Sequence, residues 1–235
     1  MDIKCYLAMT ASELSAAAQF PANTAYMACH FSGSNPGLSN LPAILPPGSM
    51  VVLDDLIPPH THDPELISMQ LIDLNEKLSI SSVLLDFQRP DIHENRSIAE
   101  YLIQALPCPV GVSALYAEDL TCPVFLPPPP LHMALREHLR RWATREIWLE
   151  IAAETAQVKV TTDGCTYHPD FDGSIPQPAF EEKILCCHYH ISVQQDHALF
   201  TLRRDKEDLR QLLQQAQKLG VSCAVGPYQQ LYPFP

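Results

Sequence analysis

The chain has 235 residues, of which 46% are hydrophobic and 18% charged, and it carries a formal net charge of −12. That length suits one large α/β domain better than two small ones. The acidic balance disfavours nucleic acid or an anionic membrane as partner, because a surface that tracks phosphates needs an excess of Lys and Arg.

The first strand is expected over about Ile3–Met9. Thr10-Ala11-Ser12-Glu13 then offers a cap for an alanine-rich helix running to about Phe20. A second strand, about Ala25–Phe31, ends at His30 and leads into a Gly/Ser/Asn/Pro loop from Gly33 to Gly48. A loop of that length suggests either a functional loop or an excursion of the rim. The third strand, Met50–Leu53, ends in Asp54-Asp55. A helix then opens with Asp63 as N-cap, Pro64 at its first position and Glu65 in its first turn. Its apolar residues Ile67, Leu71, Leu74 and Leu78 share one helical face.

The fourth strand is the most informative stretch. In Ser79-Ile80-Ser81-Ser82-Val83-Leu84-Leu85-Asp86-Phe87-Gln88-Arg89-Pro90 an apolar run of strand length ends abruptly in polar residues. That is the pattern of a buried parallel strand delivering side chains to the rim of a sheet. A helix over about Glu94–Leu106 follows, with Ile98, Leu102 and Ala105 on its stripe. The fifth strand, about Val110–Leu115, has Tyr116 and Glu118 just beyond it. The sixth, Cys122–Leu126, runs into Pro127–Pro130, a stiff polyproline II spacer. A sixth helix is expected over Leu131–Thr144, with Leu131, Leu135, Leu139 and Trp142 inward and Arg136, Arg140 and Arg141 on a solvated face.

After Arg145 the pattern loosens. Ile147–Ala153 and Val158–Thr162 read as strands with no helix between them, and Cys187–Val193 and Ala198–Leu202 again read as paired strands, although Gln194-Gln195-Asp196-His197 is a poor tight-turn sequence. A β-hairpin insertion is the economical explanation. The last unit is regular: Asp205 and Asp208 form an acidic capping pattern, and Leu209, Leu212, Leu213 and Ala216 form the buried face. Lys218 and Gly220 end that helix before a closing strand at Val221–Val225. Seven or eight strands separated mostly by helices predict one (β/α)₈ TIM-type barrel over residues 1–235, irregular in its last third, with an open doubly wound sheet as the alternative.

The chain holds 22 prolines and 8 glycines, against usual shares of ~5% and ~7%, so its loops are expected to be stiff. No segment approaches the roughly 18 apolar residues of a membrane helix. The N-terminus runs straight into a strand, so no signal peptide is expected. There are 8 cysteines, none in a Cys-x-x-Cys pair. Cys5, Cys29 and Cys223 lie in apolar runs, which fits reduced, buried thiols in a cytoplasmic protein. No cofactor is expected, and the sequence leaves the oligomeric state open.

In a barrel the active site lies at the C-terminal ends of the strands. Those ends carry His30, Asp54, Asp55, Asp86 to Arg89, Tyr116, Glu118, Glu150, Arg203 and Tyr228 with Gln229. Strand alternation puts Leu84, Asp86 and Gln88 on one face, so Asp86 and Gln88 would stack at the mouth if that face looks inward. His60-Thr61-His62 matches a metal-ligand spacing, but the fifth and sixth strand ends offer no further histidine, and a solvent-exposed loop motif is the simpler reading.

Ser81-Ser82-Val83-Leu84-Leu85-Asp86-Phe87-Gln88 resembles the fourth strand of family 18 glycoside hydrolases, the chitinase-like barrels, whose pattern is Asp-Gly-hydrophobic-Asp-hydrophobic-Asp-aromatic-Glu. The resemblance extends over about Met50 to Leu126. It implies a carbohydrate ligand, with Asp86 orienting a substrate acetamido group. The family's closing Glu, the acid that protonates the glycosidic oxygen, is Gln88 here, and the middle Asp is Leu84. A carboxamide has no proton to give at neutral pH, so acid catalysis from that position is lost. The resemblance therefore implies either a binding protein or a hydrolase with relocated catalysis.

A relocated carboxyl pair would join Asp86 to Asp54 or Asp55, or to Glu118, since neighbouring strand ends suit the spacing such pairs need. The expected site thus has Asp86, Asp55 and Glu118 as catalytic candidates, with Gln88, Asp54, Arg89, Tyr116, His30 and Tyr228 binding substrate. The bland alternative is that the strand-end aspartates serve loop backbone amides. A non-catalytic sugar- or peptide-binding barrel, a small-molecule lyase or isomerase, and a metal-dependent hydrolase stay open as other readings.

Overall fold

The computed structural model describes residues 3–17, 19–33, 36–58, 63–90, 92–169 and 171–232. In chain order the elements begin with β1 (Lys4–Met9), α1 (Ala11–Ala16), β2 (Thr24–Phe31), β3 (Leu38–Ser39) and β4 (Met50–Asp54). Next come α2 (Pro64–Leu78), β5 (Ser82–Asp86), α3 (His93–Ala105), β6 (Val110–Ser113), β7 (Val124–Leu126), α4 (Leu135–Leu139) and β8 (Ile147–Glu150). An inserted block holds β9 (Glu154–Thr161), β10 (Gly164–Pro169), β11 (Phe180–Glu182), β12 (Cys187–Val193) and β13 (His197–Arg204). The chain closes with α5 (Lys206–Lys218), β14 (Cys223–Pro227) and α6 (Tyr228–Leu231).

Eight strands pair in parallel in the order β1-β14-β8-β7-β6-β5-β4-β2, and β1 also pairs with β2, so the sheet closes on itself. The closed barrel, and not the open sheet, is the architecture. The two-residue period of the strands then sorts every side chain. Tyr6, Met50, Val52, Leu84, Phe125, Trp148 and Val225 fill the interior. Val51, Leu53, Val83, Leu85, Val112, Val124 and Leu149 point outward against Ile67, Leu71, Ile98, Leu102, Leu209 and Leu212 of the helices.

Several local expectations hold for their stated reasons. Thr10 and Glu13 make a reciprocal capping box on α1. The Asp63 side chain accepts the Leu66 N–H at 2.9 Å to start α2, and Ser79 ends it in the left-handed conformation at φ 52°. Asp205 and Asp208 cap α5 reciprocally. The loop after β2 contains the short antiparallel strand β3 on His30 and Phe31, which folds it back along the rim.

Two expectations are corrected. The sixth helix does not begin at Leu131: only Leu135–Leu139 is α-helical, followed by one 3₁₀ turn at Arg140–Trp142. Leu131 is instead fully buried against Ala156, Cys187 and Leu202 of the inserted block, so it serves the insertion and not a helix face. The insertion itself is larger than one hairpin. It is a five-stranded antiparallel sheet in the order β10-β9-β13-β12-β11, tied to the barrel by continuation of the chain from β8 and into α5. Gln194-Gln195-Asp196, a poor turn sequence, nevertheless closes the β12–β13 hairpin, with the Gln194 N–H donating to the His197 carbonyl at 2.8 Å.

Arg204 fastens this sheet. It is 1% exposed and donates to the carbonyls of Pro129, Leu185 and Cys186 while meeting Glu154 Oε2 at 3.2 Å. Cys186 packs into the main core and Cys187 into the small core under the insertion; Cys186 is a turn residue at φ 49°, just before β12 begins.

Inside the barrel, Gly111 stands where a side chain would collide with Trp148: a β-carbon there lies 2.3 Å from the indole ring. Replacing Gly111 by Ala is expected to destabilise the protein by about 1–3 kcal/mol through overpacking. A denaturant titration would show this as a lower midpoint with unchanged slope.

Candidate functional site at the barrel mouth

The C-terminal ends of β2, β4 and β5 are in register, with His30 opposite Asp54 and Asp54 opposite Asp86. A register shift in β2 between Tyr26 and Cys29 allows this, since it returns His30 to the row after Cys29 has turned outward. Leu84 is an interior residue, so Asp86, two positions on, also faces the barrel axis. By the same rule Trp148 places Glu150 inward from β8, on the other side of the mouth.

Asp86 and Glu150 line one cavity of about 50 Å³, together with Ala8, Met27, Val52, Leu84, Phe125 and Val225. Its floor is apolar, and among the described residues its carboxyls are these two. The Gln88 side-chain N–H₂ donates to Asp86 Oδ1, so Asp86 and Gln88 do stack as strand alternation requires. Among the described residues Glu150 makes no hydrogen bond and no ion pair; its carboxyl opens into the cavity.

Burial of this pair has an electrostatic consequence. Glu150 is pushed up to about 7, first by burial and then by the charges of Asp86 and Glu154. Asp86 is also raised, mainly by burial and further by Asp54 and Asp55, while the bond from Gln88 opposes the shift. Two buried carboxyls without a cation between them hold protons at a pH where exposed ones have lost theirs.

The other expected site residues lie in varied places. Asp54 accepts the Leu56 N–H at 3.0 Å, and His30 Nδ1 stands 2.8 Å from its other oxygen, close enough for an ion pair. Asp55 is 2% exposed and points away from the cavity. Its carboxylate accepts the backbone N–H groups of Gln88 at 2.9 Å and Arg89 at 3.0 Å and the Asn95 side-chain amide at 2.8 Å. Arg89 donates from Nη2 to the Leu56 carbonyl at 2.6 Å. Tyr116 is buried outside the barrel, its hydroxyl donating to the Arg89 carbonyl and its ring edge-on to Phe87. Tyr228 stacks on Tyr232 at 4.9 Å just past β14. Glu118 is exposed, 2.5 Å from Arg141 Nη2, and does not line the cavity.

The structure therefore brings together Asp86, Gln88, Asp54 and His30, and it does not bring Asp55 or Glu118 to the cavity. The carboxyl that shares the cavity with Asp86 is Glu150. Its signal was present in the chain: Ile147-Trp148-Leu149-Glu150 is an apolar strand ending in a carboxylate, the same pattern as Val83-Leu84-Leu85-Asp86. Neighbouring strands attract attention in a sequence, whereas these two meet across the barrel axis.

His60 and His62 lie outside the described residues. Among the described residues one group has metal-ligand spacing, His188 with Asp205 and Asp208, at the junction of the inserted sheet and α5. Both aspartates there already cap α5.

No family model matches the chain, and no curated protein matches it. Solved structures do. A chitinase from Chromobacterium violaceum superposes with a TM-score of 0.63 at 10% identity, covering 97% of this chain and 95% of that one. The spore cortex-lytic enzyme SleL from Bacillus cereus gives 0.60 at 10% identity, covering 99% of this chain and 72% of that one. A GH18 chitinase from Cycas revoluta, a mutant with Glu replaced by Gln and in complex with (GlcNAc)4, gives 0.58 at 9% identity, with 97% and 96% covered. The fold is thus that of the family 18 glycoside hydrolase barrels.

The raised Glu150 carboxyl makes a stability prediction. Its folded-state value lies above the ordinary carboxylate value of ~4.3, so the folded protein holds a proton that the unfolded chain has lost. Stability is then greatest below the unfolded value and declines as pH rises towards about 7. Glu150→Gln removes this dependence. Relative to the variant, the wild-type protein is expected to lose about 1–3 kcal/mol between about pH 5 and about pH 8, read by thermal melts at each pH.

Proposed function

We propose that the barrel mouth binds N-acetylated sugars, and that the acid used by family 18 enzymes on their fourth strand plays no part. The observation that carries this reading is the cavity itself. At about 50 Å³ it is too small for a sugar ring and suits one acetamido group: an apolar floor for the methyl, and the carboxylate of Asp86 to accept the amide N–H. The ring would lie across the rim, beside Gln88.

Gln88 supports the same division of labour. Its amide already donates to Asp86 Oδ1, which fixes that carboxylate for a ligand and leaves its second oxygen available. A structural neighbour that carries a Glu-to-Gln mutation holds (GlcNAc)4, so an amide in place of a carboxyl is compatible with glycan binding in a barrel of this kind. Polymers of nucleotides and anionic lipid surfaces remain poor partners for a chain of net charge −12.

None of the described helices is long and apolar enough to cross a membrane. All eight cysteines are free, and Cys29, Cys186, Cys187 and Cys223 are buried. Burial pushes Cys29 and Cys223 up to about 12, which keeps them unreactive. These thiols favour a reducing, cytoplasmic setting.

Titration calorimetry tests the binding reading. Chitotetraose is expected to bind, and its fully deacetylated counterpart and cellotetraose to bind at least tenfold more weakly. Asp86→Ala should weaken chitotetraose about 10- to 100-fold, the range for losing a hydrogen bond to a charged acceptor. Equal binding of acetylated and deacetylated oligomers would exclude the acetamido pocket.

A further inference from the structure

Asp86 is committed to a role in holding ligand, and Gln88 has no acidic proton. What is left unexplained is Glu150. A carboxyl that serves structure is normally bonded to a donor or paired with a cation, and Asp55, with three donors, shows what that looks like in this chain. Glu150 has none of these. It projects from the end of β8 into the cavity, across the mouth from Asp86 and without competition from any other group lining that cavity.

We infer that Glu150 is the general acid of a glycosidase site relocated from the fourth barrel strand to the seventh, acting on the N-acetylated sugar held by Asp86. This inference rests on the binding reading above. The protonated Glu150 carboxyl gives its proton to the glycosidic oxygen as the bond from that oxygen to C1 breaks, the bonding pair staying with the oxygen, so that the leaving sugar departs as an alcohol. The acetamido carbonyl oxygen of the same ring closes on C1, and the positive charge this places on the amide faces the Asp86 carboxylate. Water then adds to C1, reopening the acetamide, and its proton returns to Glu150. One glycoside and one water yield two sugars, with no change of oxidation state.

The surroundings support the assignment. The charged groups around Glu150 are Asp86 on β5 and Glu154 at the start of β9, with Asp54 and His30 next to Asp86. Arg204 is engaged with Glu154 and three backbone carbonyls. The acid is thereby kept protonated up to about pH 7, where a proton donor to a glycosidic oxygen is most useful.

The test compares two substrates on wild-type protein and Glu150→Gln: chitotetraose, whose leaving group needs a proton, and the 2,4-dinitrophenyl glycoside of N-acetylglucosamine, whose leaving group does not. Wild type is expected to hydrolyse both, with kcat/KM for chitotetraose falling as pH rises through about 7. The variant should lose about 10²- to 10³-fold on chitotetraose, with no limb near that pH, and lose less than about tenfold on the dinitrophenyl glycoside. Equal losses on both substrates would overturn the acid role. Chitotetraose binding by calorimetry without any turnover would overturn it too while leaving the acetamido pocket standing. Absence of both binding and turnover would remove both readings.

Discussion

The site depends on a carboxylate that never meets the cavity. Asp55, at the end of β4, takes the backbone N–H groups of Gln88 and Arg89 and the amide of Asn95, and so pins the turn after β5 to the start of α3. With that turn held, the Gln88 side chain folds back onto Asp86. Tyr116 and Ser113 add to the hold from β6, donating to the carbonyls of Arg89 and Phe87. The polar end of β5 is thus held in place by its neighbours before any ligand arrives.

Above that frame the electrostatics are unusual for their lack of compensation. Buried carboxyls are generally neutralised by a nearby cation, and here the buried arginine of the inserted block, Arg204, is already engaged. Arg204 joins the insertion to the barrel through carbonyls and Glu154. Asp86 and Glu150 are left to share a small apolar space; burial raises both, the charge of Asp86 raises Glu150 further, and Asp54 and Asp55 raise Asp86. A protein that used these residues only for stability would gain by pairing them. Among the described residues only Asp86 has a partner, the Gln88 amide; burial of two carboxyls with no cation between them is the kind of electrostatics that clusters at functional sites.

The insertion explains another departure from regularity. Leu131 leaves the expected helix to seat under the sheet, and the α4 segment is short as a result. No helix follows β6 either; there Arg145 holds the connecting segment by donating to the carbonyls of Leu120 and Cys122. The barrel keeps its eight strands and gives up helix where side chains are needed for other work.

Much was legible in the chain alone. Apolar runs of strand length, capping residues at Thr10, Asp63 and Asp205, and the helical stripes of Ile67 or Leu209 are local features, governed by periods of two and 3.6 residues. They determined the barrel and the inward pairing of Asp86 with Gln88. Tertiary structure decided what depends on distances across the axis. Asp54 and Asp55 are adjacent in sequence, yet alternation sends one to the mouth and the other behind it. Glu118 follows a strand end but turns to Arg141 at the surface and stays out of the cavity. Glu150 and Asp86 are separated by three strand steps and meet only because the sheet closes. Closure is a global constraint, and no local pattern records which strand ends face one another.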